Sequence, residues 1–315
     1  MFEIRRYDDR RHDEWNAFVA QSKNGTFLFD RRYMDYHADR FADHSLMAYR
    51  NGRLYALLPA HREGDRLLSH GGLTYGGLIT DAHTTAADTV VLFQELAELL
   101  RADGIRQVYY KVMPWIYHCL PAEEDLYALF RTGHARLVAR DIASVIDLSH
   151  PLRWERVRRR ALARAQQNGI TVEQADDFAP FWQILTDNLN HRYGVRPVHT
   201  LDEIRLLHAR FPDNIVLYNA YHDGNIIAGV VLYLTPQVVH AQYSSSTEEG
   251  KKIGAMDALY HTIFNQIDTD RYRFFDFGRS TEHEGSYLNA SLIFQKEGLG
   301  GRGMCYDAYE WTLYD

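Results

Sequence analysis

The strongest constraint on the fold is an order of secondary-structure signals that the chain carries twice. In each half a hairpin signal, Asn51-Gly52 or Asp223-Gly224, is followed by a strand, an amphipathic helix and a further strand. Parallel neighbouring strands need a connection of helix length, so this order predicts a mixed sheet with helices on its faces. We therefore predict an α/β (α+β) fold built from two similar domains in tandem.

The predicted boundary between the domains is the turn signal Ser149-His150-Pro151. It gives an N-terminal domain at 1–148 and a C-terminal domain at 149–315. Because the signals follow the same order in both halves while their residues differ, we interpret the chain as a duplicated pattern and not as an array of short repeats.

Composition excludes several classes of protein. The formal net charge of −7 argues against a broadly basic nucleic-acid surface, although one local basic strip remains compatible with it. No stretch reaches the ~18 uninterrupted apolar residues of a membrane span, and the N-terminus lacks the apolar core of a signal peptide, so we expect a cytoplasmic protein. No H-E-x-x-H or paired-cysteine pattern occurs, so we predict no metal site, and the absence of G-x-S-x-G argues against a serine hydrolase.

A basic strip does occur where the second half begins. The segment R-W-E-R-V-R-R-R-A-L-A-R starts at Arg153, and its residues Arg156, Arg160 and Arg164 share one helical face with Arg153. This pattern fits two structures equally well, a solvated helix face and an anion-binding face.

Glycines and lysines also occur where a later helix begins. Gly250, Lys251, Lys252, Ile253 and Gly254 can present backbone N–H groups and ammonium charge to a pyrophosphate, helped by the positive end of the helix dipole. An ordinary glycine-containing turn between a strand and a helix would show the same pattern.

This second segment resembles the acyl-CoA pyrophosphate loop of GNAT acyltransferases, which has the pattern Q/R-x-x-G-x-G/A. Gly254 and Ala255 fit that pattern, whereas Lys252 stands in place of the first glycine and Glu249 in place of Gln or Arg. The resemblance implies acyl-CoA as the donor substrate.

Two more segments are similar to the Fem family of peptidoglycan-bridge aminoacyltransferases and the related acyltransferases of polysaccharide gene clusters. That family has a strand ending in D-F-G-x and a downstream F-K-x-G, and here D-F-G-R starts at Asp276 while the lysine is Lys296, preceded by Gln295. The resemblance implies that Asp276, Gly278 and Arg279 form the site wall and that Lys296 is a cation stabilising negative charge on the transferring group.

The Fem resemblance extends along the whole chain and assigns roles to three further features. The basic segment matches the family's opening of the second domain, which makes Arg159 and Arg160 candidate phosphate contacts. In the family the cleft between the tandem domains holds the acceptor. His70 and Tyr75, in the glycine-rich segment S-H-G-G-L-T-Y-G-G, would then face the acceptor. A bulged, tightly packed strand is the alternative explanation of that segment.

Acyl transfer to an amine needs an oriented carbonyl, a stabilised oxyanion and a proton acceptor. A strand that splays over His240–Ser245, which contains Tyr243, would offer backbone N–H groups to the carbonyl, with Lys296 or Arg279 assisting. His240, His283 and Glu284 are the candidate bases, and each is better explained as a surface or hydrogen-bonded residue.

The sequence thus predicts an N-acyltransferase that moves an acyl group from acyl-CoA to an amine of a sugar- or peptide-type cell-envelope precursor, nucleotide- or lipid-linked. Two alternatives stay open. One is a Fem-type transferase that uses aminoacyl-tRNA, and the other is a non-catalytic binding scaffold of the same fold. The oligomeric state is not predictable from the sequence.

Overall fold

The computed structural model describes residues 1–314, and within these residues the side chains of Arg192 and Tyr193 are left out of the description. The helices of the described chain are α1 His12–Gln21, α2 Arg31–Met34, α3 Ala86–Ala102, α4 Glu124–Thr132, α5 Arg156–Gln167, α6 Ala179–Tyr193, α7 Leu201–Arg210, α8 Glu248–Ile253, α9 Ala255–Gln266 and α10 Ala290–Gly298. The strands are β1 Glu3–Arg6, β2 Leu46–Arg50, β3 Arg53–Leu58, β4 His61–Glu63, β5 Arg66–Leu68, β6 Ile79–Thr80, β7 Gln107–Lys111, β8 Ala135–Asp147, β9 Thr171–Ala175, β10 Ile215–His222, β11 Asn225–Leu234, β12 Val238–Ser246, β13 Phe274–Arg279, β14 Thr281–Glu282, β15 Tyr287–Leu288 and β16 Arg302–Thr312.

The chain divides into two compact units. The first unit contains residues 1–142, 281–288 and 304–315, and the second contains 143–280 and 289–303. The units differ from the predicted division at 148/149 because the long strands β8 and β16 each carry the chain from one unit into the other. The domains 1–148 and 149–315 stay a prediction, and Asp315 lies outside the described residues.

In the first unit, strands β1, β2, β3 and β6 form one sheet, in that order. The predicted Asn51-Gly52 hairpin joins β2 to β3, and both turn residues have positive φ, at 52° and 76°. Helices α3 and α4 pack together, and Leu92, Phe93 and Leu96 of α3 belong to the core of this unit. The amphipathic pattern of α3 therefore arises from burial of one face.

In the second unit, β13, β12, β11, β10 and β9 are neighbours in that order, with the end of β8 beside β13. β12 and β13 pair in parallel and the other neighbours pair antiparallel, so the sheet is mixed, as predicted. Helices α8 and α9 lie in the connection between the two parallel strands. Leu259 and Ile263 of α9 are fully buried in one core with Val230 and Phe275 of the sheet.

Helix ends in the second unit follow the sequence signals. Thr200 caps α7, and the complete capping box with Glu203 is formed. Lys296 and the K-E-G that it begins lie in the last turn of α10, because the hydrogen-bonded helix continues to Gly298. None of the helices in residues 1–314 is long and apolar enough to cross a membrane.

Candidate functional site

The candidate site lies in the second unit, where β12 and β13 separate. Their parallel pairing runs from Val238/Phe274 to His240/Asp276 and then ends, although β12 keeps its pairing with β11 as far as Ser246. Gln242 is the extra residue of a bulge on β12. The separation leaves an opening between two neighbouring strands of the same sheet.

A cavity of about 420 Å³ occupies this opening. Its wall combines apolar side chains with serines and amides from β12, α6 and α10 and with cations from α5, α8 and α10. The polar and charged lining residues are Arg158, Asn188, Gln242, Ser244, Ser245, Ser246, Lys251, Asp257, Asn289, Ser291, Gln295 and Lys296. A cavity with this lining suits a polar ligand that carries negative charge.

Lys296 is the buried cation of this cavity. Its Nζ donates to the carbonyl oxygens of Gly278 at 2.8 Å and Arg279 at 2.7 Å. An ammonium has three donors, and the third finds no acceptor among residues 1–314. Burial lowers the pKa of Lys296 to about 8, partly opposed by the charge of Asp276. The ammonium therefore has one donor left for a ligand in the cavity.

Asp276 organises the strand end to which Lys296 binds. Its carboxylate accepts the Gly278 amide at 2.7 Å and lies 2.9 Å from Nδ1 of His240, and it is fully buried. Gly278 has φ +73°, and a Cβ there would approach Cε1 of His240 to 3.3 Å, so glycine is required. The predicted residues His240, Asp276, Gly278 and Lys296 thus form one hydrogen-bonded group.

Arg158 and Asp257 form a second charged group in the cavity wall. Nη1 of Arg158 lies 3.4 Å from Oδ1 of Asp257, and Nε of Arg158 is buried without a partner in the described chain. Burial raises the pKa of Asp257, and Arg158 opposes this shift. Gly298 leaves room for the arginine, since a Cβ there would lie 3.2 Å from Cγ of Arg158.

The predicted pyrophosphate segment has a structural explanation at most positions. Gly250 lies inside α8, and its amide donates to Oγ1 of Thr247. A Cβ at Gly254 would lie 2.3 Å from the carbonyl oxygen of Ala161, so α5 covers the start of α9. Gly254 thus has a packing role, and pyrophosphate binding by this segment stays a prediction.

The side chains of this segment divide between the cavity, the core and solvent. Lys251 lines the cavity and forms an ion pair with Glu248, whereas Lys252 is exposed to solvent. Ile253 packs against the core of the unit, and Ala255 is fully buried. Of the six residues predicted to bind the donor, only Lys251 contributes to the cavity wall.

Three other predicted residues of the second unit lie outside the cavity wall. Tyr243 packs edge-on against Trp182, and its hydroxyl lies 2.6 Å from Nδ1 of His199. Arg159 and Arg160 are exposed on α5, while Ala161 turns into the core. Their predicted contacts with a ligand stay predictions.

The predicted residues of the first unit belong to its core or its surface. His70 and Tyr75 are 3% and 2% exposed, and the Tyr75 hydroxyl lies 3.2 Å from Oγ1 of Thr26. His283 and Glu284 form the exposed turn of the β14–β15 hairpin, with φ of 52° and 56°. His70 and Tyr75 are tightly packed, as the alternative explanation expects, but the segment lies between β5 and β6 and is not a strand. An acceptor contact by either residue stays a prediction.

Sequence reasoning missed Arg158 and Asp257. Arg158 lies on the face of α5 that carries the buried residues Ala161 and Ala165, opposite to the arginine face singled out from the sequence. The available sequence signal was the spacing of Arg158 from those alanines, which places it on their helical face. Asp257 stands in the first turn of α9 and gives no signal of its own. Within residues 1–314, no three His, Cys, Asp or Glu side chains come close enough together to hold a metal ion.

Comparison with known proteins gives a family match for part of the chain. Residues 153–285 match the model of an acetyltransferase (GNAT) domain. No curated protein is similar enough in sequence to count as a relative.

Solved structures match the chain over nearly its full length. The crystal structure of FemX has a TM-score of 0.65 and 11% identity, covering 97% of this chain and 96% of FemX. The C-terminal domain of a putative lysylphosphatidylglycerol synthetase from Agrobacterium fabrum has a TM-score of 0.61 and 15% identity, with coverages of 96% and 92%. A tandem GNAT protein from the clavulanic acid biosynthesis pathway has a TM-score of 0.53 and 12% identity, with coverages of 100% and 99%.

These matches confirm the predicted resemblance to Fem-like tandem-GNAT acyltransferases and the predicted fold class. At such low identities the structural likeness concerns the fold. The domain match over residues 153–285 adds that the second half is of the GNAT transferase type.

Proposed function

We propose that this chain transfers an acyl or aminoacyl group from an ester or thioester donor to an amine of a cell-envelope precursor, and that the cavity between β12 and β13 holds the reacting carbonyl. The main support is Lys296, whose ammonium is fixed by the carbonyls of Gly278 and Arg279 and keeps one donor for a ligand. A fixed cation of this kind stabilises the oxyanion that forms during acyl transfer.

The reaction proceeds through a tetrahedral intermediate. The amine nitrogen of the acceptor bonds to the carbonyl carbon, and the carbonyl oxygen takes up the negative charge next to Lys296. The carbon–oxygen or carbon–sulfur bond to the donor then breaks. The amine gives up one proton, and the leaving alkoxide or thiolate takes one, so that charge and atoms balance.

Asp257 is the candidate proton acceptor in the cavity wall. Its side chain is 4% exposed, and burial raises its pKa toward the range in which a carboxylate accepts a proton readily. Arg158 keeps the carboxylate oriented through the 3.4 Å contact. His240 lies further inside, with Nδ1 next to Asp276, and serves as a positioning residue for the end of β13.

The geometry favours an aminoacyl-tRNA donor over acyl-CoA. The backbone of Ala161 packs directly on Gly254, which leaves little room for a pyrophosphate beside that glycine. An aminoacyl ester needs only the carbonyl and its amino acid inside the cavity. Acyl-CoA remains the second candidate, because residues 153–285 match an acetyltransferase domain.

The acceptor class rests on the Fem resemblance and on the shared fold with FemX. A peptide- or sugar-type precursor with a free amine, linked to a nucleotide or a lipid, is available on the cytoplasmic side of an envelope pathway. A cytoplasmic chain would meet both this acceptor and either donor.

The test is a transfer assay with the purified chain, offered labelled aminoacyl-tRNA or labelled acyl-CoA together with amine-bearing precursors. We expect product from aminoacyl-tRNA, and a loss of about 10²–10³ in rate for Lys296→Met. Product from acyl-CoA alone would overturn the donor assignment. Precursor binding without transfer from either donor would support the non-catalytic scaffold and refute the proposal.

A further inference from the structure

A strongly basic surface on α5 and the residues just before it takes no part in the transfer step described above. α5 begins only at Arg156, so Arg153 does not share its helical face as predicted. Between Arg153 and Arg164 the chain has six arginines and one glutamate, although the whole protein has a net charge of −7. The exposed arginines are the five other than Arg158, namely Arg153, Arg156, Arg159, Arg160 and Arg164. None of these five forms an ion pair with a residue of the described chain. Unpaired charge of one sign at this density creates a local positive potential that attracts a polyanionic partner.

Exposed apolar side chains lie among and beside these arginines. Leu152 and Val157 are 46% and 47% exposed, and Phe294 of α10 is 59% exposed. The start of α5 packs against the end of α10, where the Glu155 amide donates to the Gly298 carbonyl at 2.8 Å. Phe294 stands one helical turn before Gly298 on the exposed side of α10.

We propose that this surface, defined by Leu152, Arg153, Arg156, Val157, Arg160, Arg164 and Phe294, docks the protein on an anionic lipid bilayer. Arginines attract anionic headgroups, and aliphatic and aromatic side chains enter the boundary between headgroups and acyl chains. A nucleic-acid backbone would use the arginines, but it offers no apolar environment for Leu152 and Val157.

The same helices that present this surface also line the cavity. Arg158 of α5 and Lys296 of α10 both lie in its wall. Because Arg158 lies on the face of α5 opposite to the docking arginines, docking would place the cavity roughly 10 Å, one helix diameter, behind the headgroups, which suits an acceptor that is itself anchored in the membrane. This choice of acceptor rests on the proposed function, whereas the docking itself does not.

The test is co-sedimentation of the full chain with vesicles of phosphatidylcholine alone or with about one third phosphatidylglycerol. We expect binding to the anionic vesicles that weakens as salt rises. At about 1 kcal/mol for each arginine near the surface, Arg153→Gln/Arg156→Gln should lower the partition coefficient about 30-fold. The control Arg131→Gln/Arg271→Gln removes the same charge from exposed positions elsewhere and should bind like the parent.

Phe294→Ser separates lipid insertion from simple charge attraction, and we expect a several-fold loss of vesicle binding. Equal sedimentation with both vesicle types, or equal losses in the two arginine variants, would overturn the proposal. Fluorescence anisotropy with tRNA tests the alternative partner. If the chain binds tRNA tightly through Arg153 and Arg156 and does not bind vesicles, the surface is an RNA-binding surface. Lys296→Met should bind vesicles normally, so docking and transfer can fail separately.

Discussion

Replacing Lys296 by methionine should remove transfer activity at little cost in stability. The folded state lowers the pKa of this lysine from 10.5 to about 8, so at pH 7 its charge opposes folding by ~3 kcal/mol. Methionine has a similar volume and removes that cost. It also leaves the carbonyls of Gly278 and Arg279 without their donor, at about 1–3 kcal/mol each.

These opposing contributions nearly cancel, so the free energy of unfolding should change by no more than about 2 kcal/mol. Urea denaturation followed by tryptophan fluorescence measures this change, and single-turnover transfer measures the chemical step. We expect a rate loss of about 10²–10³ in the variant, because the cation next to the oxyanion is gone.

The pH dependence of the free energy of unfolding tests the lowered pKa of Lys296. Between pH 8 and 10.5 the unfolded lysine holds a proton that the folded lysine has lost, so this residue makes the parent more stable as pH rises through that window. The difference between parent and Lys296→Met should therefore grow in favour of the parent above pH 8. A loss of more than about 4 kcal/mol in the variant at pH 7, or transfer at the parental rate, would refute the reasoning.

Two further predictions concern stability. Gly254→Ala should lower the free energy of unfolding by about 2–4 kcal/mol, because the new Cβ would lie 2.3 Å from the Ala161 carbonyl oxygen and the residue has φ +90°. The control is Gly224→Ala, which has φ +77° and nothing within 4 Å of the new Cβ, and it should cost only about 1 kcal/mol. Equal losses in urea denaturation would show that α5 yields to the methyl group. Burial lowers the pKa of His70 to about 2 and of His118 to about 4, so stability should fall as pH drops below the unfolded value of 6.5, by about 2 kcal/mol for each histidine at pH 5. His70→Asn tolerates the positive φ at this position and should reduce the loss in free energy of unfolding between pH 7 and pH 5 by about that amount. An unchanged loss would show that the pKa of His70 is not lowered by burial.

Turn and capping residues in the sequence predicted hairpins and helix starts, because interactions within a few residues determine these structures. The Asp223-Gly224 turn has φ of 48° and 77° in both of its residues, and these values follow from the turn type alone. The capping box at Thr200 is likewise complete within one turn of helix. The strand order, in contrast, was not predicted, since pairing between β8 and β13 joins residues that are far apart in the sequence.

The candidate site was predictable only where a motif is short and its partners are close in sequence. D-F-G-R and Lys296 were found together because both belong to one family pattern, and the carbonyls that bind the lysine are part of that motif. Arg158 was missed because its importance depends on Asp257, 99 positions further along the chain. No periodicity within α5 can reveal that contact.

Gly254 shows why glycine motifs are ambiguous in a sequence. A glycine allows another group to approach the backbone closely, and that group can be a bound phosphate or the backbone of a packed helix. The local sequence looks the same in both cases. Here the approaching group is the carbonyl of Ala161, which is itself held by the burial of Ala161 and Ala165 on one face of α5. The same glycine that made the segment resemble a pyrophosphate loop is therefore explained by helix packing, and this packing is the reason why the proposed function prefers an ester donor that needs only the cavity between β12 and β13.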